Sequence, residues 1–128
     1  MIQVGTLLNV IDNSGATQVK CLKILKGYKR RYGYVGDLVL VSVKNLREKR
    51  KEFSRVKKGD ICKALIVRTK VSPWINHKTE SFSFLDNAAI LLSKQEKLLG
   101  TRIFGGLPRS LRKKSGIKMF LISAGFFD

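Results

Sequence analysis

The apolar segments of this chain are all short, and they are rich in Val, Ile and Leu. That combination favours strands over helices. Strands are expected near residues 6–11, 18–25, 37–44, 61–69 and 87–93. The clearest is "DLVLVSVKN": Val39, Val41 and Val43 share one face, while Ser42 and Lys44 lie on the other. "ALIVRT" and "AAILLS" are apolar on both faces, the pattern of strands covered on two sides. "DNSG" at 12–15 and "KKGD" at 57–60 are turn sequences, because Asn, Asp and Gly bend the backbone for local reasons. Five short strands joined by such turns predict a mainly β protein built as a small closed barrel, which leaves no exposed sheet edge. The helical signal is late and brief. Pro108 suits a first helical turn, "RSLRKK" carries it on, and Gly116 suits its end.

At 128 residues the chain is expected to form one domain, 1–128, with a genuine core. Its charge is extreme: 26 Lys and Arg face 9 Asp and Glu, a formal +17. So much charge of one sign opposes compaction, and a polyanion relieves it. Solubility alone needs only about 2 to 8 units for a small domain. Nucleic acid is the leading partner, since cations displace the condensed counterions of phosphates. An anionic membrane is the second choice, but no apolar run approaches the roughly 18 residues that a membrane span requires. The cations are clustered. Residues 20–31 hold six and no acid, residues 44–58 hold eight against Glu48 and Glu52, and residues 102–118 hold six and no acid. Residues 1–19 hold none.

The densest cluster is "KGYKRRYGYVGD", residues 26–37, with every tyrosine of the chain among its cations. Lys26, Lys29, Arg30 and Arg31 can reach phosphates, and an arginine can bond two oxygens at once. Tyr28, Tyr32 and Tyr34 can stack on unpaired bases. The competing reading is a hairpin whose tyrosines close one end of the barrel, and at least one tyrosine is given that role. A second segment, "GTRIFGG" at 100–106, reads as a tight exposed turn presenting Thr101 and Arg102, with Ile103 and Phe104 turned inward. A plain loop anchored by Phe104 fits it equally well.

Chemistry finds little support. Cys21, Cys62 and His77 are too few, and wrongly spaced, for a structural zinc site. Both cysteines fall in strand interiors, where thiols are usually inert. Asp12, Asp37, Asp60 and Asp86 each adjoin a Gly or Asn in a turn signature, so they read as turn residues rather than as an acid–base pair. No cofactor, metal or small-molecule substrate is expected, and the chain is not read as an enzyme. Two other classes remain open at this point: a free single-strand-binding barrel and a Cys-dependent enzyme.

Several motifs occur in order: "MIQVGTLLNVIDNSGA", "CLKIL", "RRYGYVGD", "VKKGD", "KALIVRTK", "LDNAAILL" and "GTRIFG". Together they resemble the universal large-subunit ribosomal protein fourteen family, in its bacterial or organellar form, over residues 1 to about 124. The resemblance implies a five-stranded β-barrel with a projecting β-ribbon and a short C-terminal helical region. It implies a structural constituent of the large ribosomal subunit, and it carries rRNA contact to Asn13, Ser14, Lys29, Arg30, Arg31, Tyr32 and Arg68. It places an intersubunit bridge and a docking face for the ribosomal silencing (anti-association) factor at Thr101, Arg102 and Lys118. The implied partners are large-subunit rRNA, small-subunit rRNA across the bridge, and neighbouring large-subunit proteins.

The chain departs from the bacterial pattern in three places. "KNLREKRKEFSRVKKGD" is a longer turn. "SPWINHKTES" lacks the expected Asp-Gly, so the ribbon around Pro73 to Glu80 is expected to be reshaped. "SAGFFD" ends in two aromatics that either dock on a lineage-specific protein or, for Phe126, pack locally. With the Lys, Ile, Leu and Phe bias, these departures point to the mitochondrial matrix, in the large subunit of the mitochondrial ribosome, with the bacterial cytoplasm as the alternative. A start that coincides with the family's own is expected of an organelle-encoded gene.

Overall fold

Five strands close into a barrel: β1 (Leu7–Val10), β2 (Ala16–Ile24), β3 (Leu38–Leu46), β4 (Ile61–Arg68) and β5 (Ala88–Leu92). Each lies within two residues of its expected bounds. The computed structural model describes residues 1–25, 27–50, 52–70, 84–108, 111 and 123–127, with residues 50 and 123–127 described by backbone alone. Neighbouring strands are antiparallel except β1 and β5, whose parallel pairing (Asn9 with Ala88, Val10 with Ala89) completes the ring. The register places Cys21 opposite Val41 and Val41 opposite Cys62, so the two cysteines flank the middle strand.

Strand alternation builds two cores. Inside the barrel, Leu8, Val19, Val41, Ile66 and Leu91 are fully buried. On the outer face of β4 and β5, Leu65, Val67, Ala88 and Ile90 form a second cluster with Ile103, Leu107 and Leu111. This is why "ALIVRT" and "AAILLS" are apolar on both faces. Each fully buried side chain of this size contributes roughly 1.5 to 3 kcal/mol relative to exposure.

The second core is covered by β6 (Ile103–Pro108), which pairs in parallel with β7 (Ser123–Phe127), two strands beyond the five expected. Two expectations change with it. Pro108 ends a strand; Leu111 beyond it is helical, and the rest of the expected helical segment 109–116 lies outside the described residues. Ile103 is buried, but Phe104 is 43% exposed, because consecutive strand residues point to opposite faces and cannot both turn inward. Phe126 and Phe127 lie in β7, opposite Leu107 and Pro108. The expected ribbon around Pro73 to Glu80 lies outside the described residues, but its base is present: Phe84 N donates to Thr69 O at 3.2 Å.

One turn design occurs three times, in "QVGT", "YVGD" and "KKGD". In each, the fourth residue's N–H donates to the first residue's carbonyl, and Gly5, Gly36 and Gly59 stand third with φ of 92°, 88° and 89°. That is the position where a type II turn requires the left-handed region. The last side chain then turns back: Thr6 Oγ1, Asp37 Oδ2 and Asp60 Oδ2 each accept from the first residue's N–H, at 3.1, 2.8 and 2.8 Å.

Candidate nucleic-acid interface

Strand directions give the barrel two ends. The β2–β3 connection (25–37) lies at one end with residues 1–6 and the ribbon base. The 11–15, 47–60 and 93–102 connections gather at the other.

The first end carries the tyrosine-rich stretch. Its foot is fixed: Ile2 and Gly33 exchange backbone hydrogen bonds at 2.8 and 2.7 Å, and a Cβ on Gly33 would lie 2.9 Å from Ile66 Cδ1. The carboxylate of Asp37, only 2% exposed, pairs with Arg30 Nη2 at 2.9 Å. Arg30 also donates Nε to Tyr32 O at 3.1 Å and lies 5.9 Å from the Tyr34 ring centre. Arg30 therefore braces the turn. Lys29 and Arg31 are exposed, and among the described residues neither has an acidic partner. Lys29 holds φ 49°, uncommon for a residue with a side chain, and its ammonium lies 5.5 Å from the Tyr28 ring. Tyr28 is 90% exposed, Tyr32 is exposed, and Tyr34 is the half-buried one that fits the end-closing role.

At the other end three loops interlock. Arg47 N donates to Gly15 O at 2.9 Å and Arg55 N to Ser14 O at 3.0 Å. The Arg47 guanidinium covers the Phe104 ring at 5.2 Å, and the Arg55 guanidinium donates to Leu99 O. Ser14 is buried, and its hydroxyl donates to Asp12 Oδ1 at 2.5 Å. Asn13 is bound to Thr101 and Arg102, both exposed, so residues expected to act separately stand together here. The link between residues 13 and 101 could not be read from spacing, since it joins positions 88 apart. The lengthened 44–58 turn packs its Val56 into the barrel core and holds Phe53 outward at 84% exposure.

Arg68 is the last residue of β4, at the first end beside the ribbon base. Its side chain is 16% exposed and pairs with Asp86 at 3.4 Å. It lies beneath Gly105, where an added Cβ would stand 2.9 Å from Nη1. Its Nε is buried and has no partner among the described residues. Lys118 lies outside the described residues, as does His77.

The family model for ribosomal protein L14p/L23e matches residues 1–126. The chain belongs to the ribosomal protein L14p/L23e family. It is thus a structural protein of the large ribosomal subunit, with rRNA and ribosomal proteins as its partners. L14p/L23e is a family of structural proteins and not of enzymes, and the thiols of this member agree. Burial raises the Cys21 thiol, and burial with the nearby Asp12 and Asp60 carboxylates pushes Cys62 up to about 11, so both stay protonated near neutral pH. Among the described residues no cluster of His, Cys, Asp or Glu could hold a metal.

Proposed function

We propose that this L14p/L23e protein works through both ends of its barrel. The 27–37 tip binds large-subunit rRNA: Lys29 and Arg31 meet phosphates, and Tyr32 packs on sugar or base. Arg30 and Arg68 join this contact set at the same end, each paired with a carboxylate, and Asn13 and Ser14 join it from the other end, where they support the loops that hold Thr101 and Arg102. Thr101 and Arg102, with Lys118, form the surface that bridges to small-subunit rRNA and receives the silencing factor. The compartment we propose is the mitochondrial matrix, on the sequence departures and residue bias.

The observation that carries this reading is the tip itself. Two cations without an acidic partner among the described residues and two exposed tyrosines stand on a turn braced by the pairing of Arg30 with the buried Asp37. A rigid cationic tip loses little freedom on binding, which favours affinity. The test is a high-salt sucrose gradient of native ribosomes from cytosol and organelles, probed for this chain. It is expected to remain with the mitochondrial large subunit after the subunits part. Release to the top of the gradient would mean a peripheral or free RNA binder, and sedimentation with another ribosome would move the compartment.

A further inference from the structure

Asn13 belongs by sequence to the "DNSG" turn, yet its side chain serves a different loop. Its Oδ1 accepts from Thr101 N at 2.7 Å and from Arg102 N at 3.1 Å. Its Nδ2 donates to Thr101 Oγ1 at 2.8 Å. One amide thus fixes two successive backbone N–H groups and a hydroxyl. Gly100 allows the approach: a Cβ there would stand 2.8 Å from both Asn13 Oδ1 and Asp12 Cβ.

The support behind Asn13 is rigid. Asp12 is buried; its Oδ1 accepts from Ser14 N at 3.1 Å, and its Oδ2 accepts from Leu91 N, in the barrel wall, at 2.9 Å. The turn is held on both flanks, by Arg55 on Leu99 O and by Phe104 N on Ile11 O at 2.7 Å. The barrel therefore dictates the backbone of Thr101 and Arg102 through one side chain. Meanwhile the Arg102 guanidinium stays outside, and the Thr101 hydroxyl, as acceptor here, keeps its proton for an outside partner.

We infer that Asn13 is a positioning residue for the joining surface. It holds the Thr101–Arg102 turn in its docking conformation before the small subunit arrives, so less ordering is left to the encounter. This rests on the reading of Thr101 and Arg102 as that surface. It also gives Asn13 an indirect role, through the turn instead of through RNA.

The test uses free large subunits carrying the Asn13→Ala, Asn13→Asp or Arg102→Ala chain. Amide exchange is followed in the 99–104 segment, and joining to small subunits is followed by sedimentation. Asn13→Ala is expected to speed exchange at Thr101 and Arg102 by about tenfold or more, since their opening no longer breaks a hydrogen bond. Exchange at Leu91 and Ile66 should be unchanged, and joined ribosomes fewer. Asn13→Asp keeps an acceptor for both N–H groups, so it is expected to retain slow exchange and near-normal joining. Unchanged exchange in Asn13→Ala would overturn the inference. So would normal joining by Asn13→Ala where Arg102→Ala joins poorly, and so would Asn13→Asp joining worse than Asn13→Ala, the mark of direct phosphate contact. Faster exchange in Asn13→Ala with normal joining by Arg102→Ala would leave the clamp standing but remove the joining-surface reading, and with it the assigned role.

Discussion

Single residues do their work here mostly by closing turns. Asp37 and Asp60 occupy equivalent places in "YVGD" and "KKGD", but only Asp37 is buried and paired with an arginine. Replacing Asp37 by Asn leaves Arg30 without its counter-charge and is expected to cost about 1–3 kcal/mol, whereas Asp60→Asn, in solvent, should cost under about 1. Urea unfolding of the two purified variants measures the difference; equal losses would show that burial of Asp37 does not matter. Cys62 provides a pH prediction. Its pKa stands near 11, above its ordinary 9.0, so between those values the unfolded chain has lost a proton that the folded chain keeps. The stabilising contribution is complete below about 9 and is lost as pH rises toward 11. Comparing urea midpoints at pH 8 and pH 10.5 should show a larger fall for the parent than for Cys62→Ser, and equal falls would refute the shift.

At the scale of elements, the barrel was legible because its strands obey a period of two with turn residues between them. Val39, Val41 and Val43 announced β3, and the two-sided apolar runs announced that β4 and β5 are covered twice. What covers them was not legible. β6 contains Gly105, Gly106 and Pro108, residues that disfavour strands, and its pairing with β7 joins Ile103 to Ser123 across the chain. Tertiary packing of Ile103 and Leu107 overrides that propensity. The candidate site was legible in its residue types: Lys29, Arg30, Arg31 and the three tyrosines all fall on the β2–β3 connection. It was not legible in which polar groups are engaged within the protein, because residue types alone do not show that Arg30 pairs with Asp37, Ser14 with Asp12 and Arg68 with Asp86. If β6 is held by the second core, Leu107→Ala should cost about 2–5 kcal/mol. Limited proteolysis should then cut first between residues 99 and 108, with the barrel resisting. Cleavage starting instead within β2 or β3 would mean that the two cores do not separate in this way.

For the whole molecule, the +17 charge is the term that folding alone leaves unbalanced. Much of it sits on the loops at the two barrel ends, where phosphates can reach it. Binding to large-subunit rRNA should therefore weaken steeply with salt. Arg31→Ala is expected to lower the slope of log K against log salt by about one unit. Arg30→Ala should act on stability, since its guanidinium is engaged with Asp37; a full-unit loss of slope for Arg30 alone would reverse these roles. The central claim is that the two ends do separate jobs. Its most direct test places the Lys29→Ala/Arg31→Ala and Thr101→Ala/Arg102→Ala double variants in cells beside the parent chain. Gradient sedimentation then reads two quantities, chain per large subunit and large subunits joined to small. The tip variant is predicted to lower the first, and the turn variant to leave the first intact and lower the second. A turn variant that joins normally, or a tip variant that incorporates at the parental level, would contradict the account.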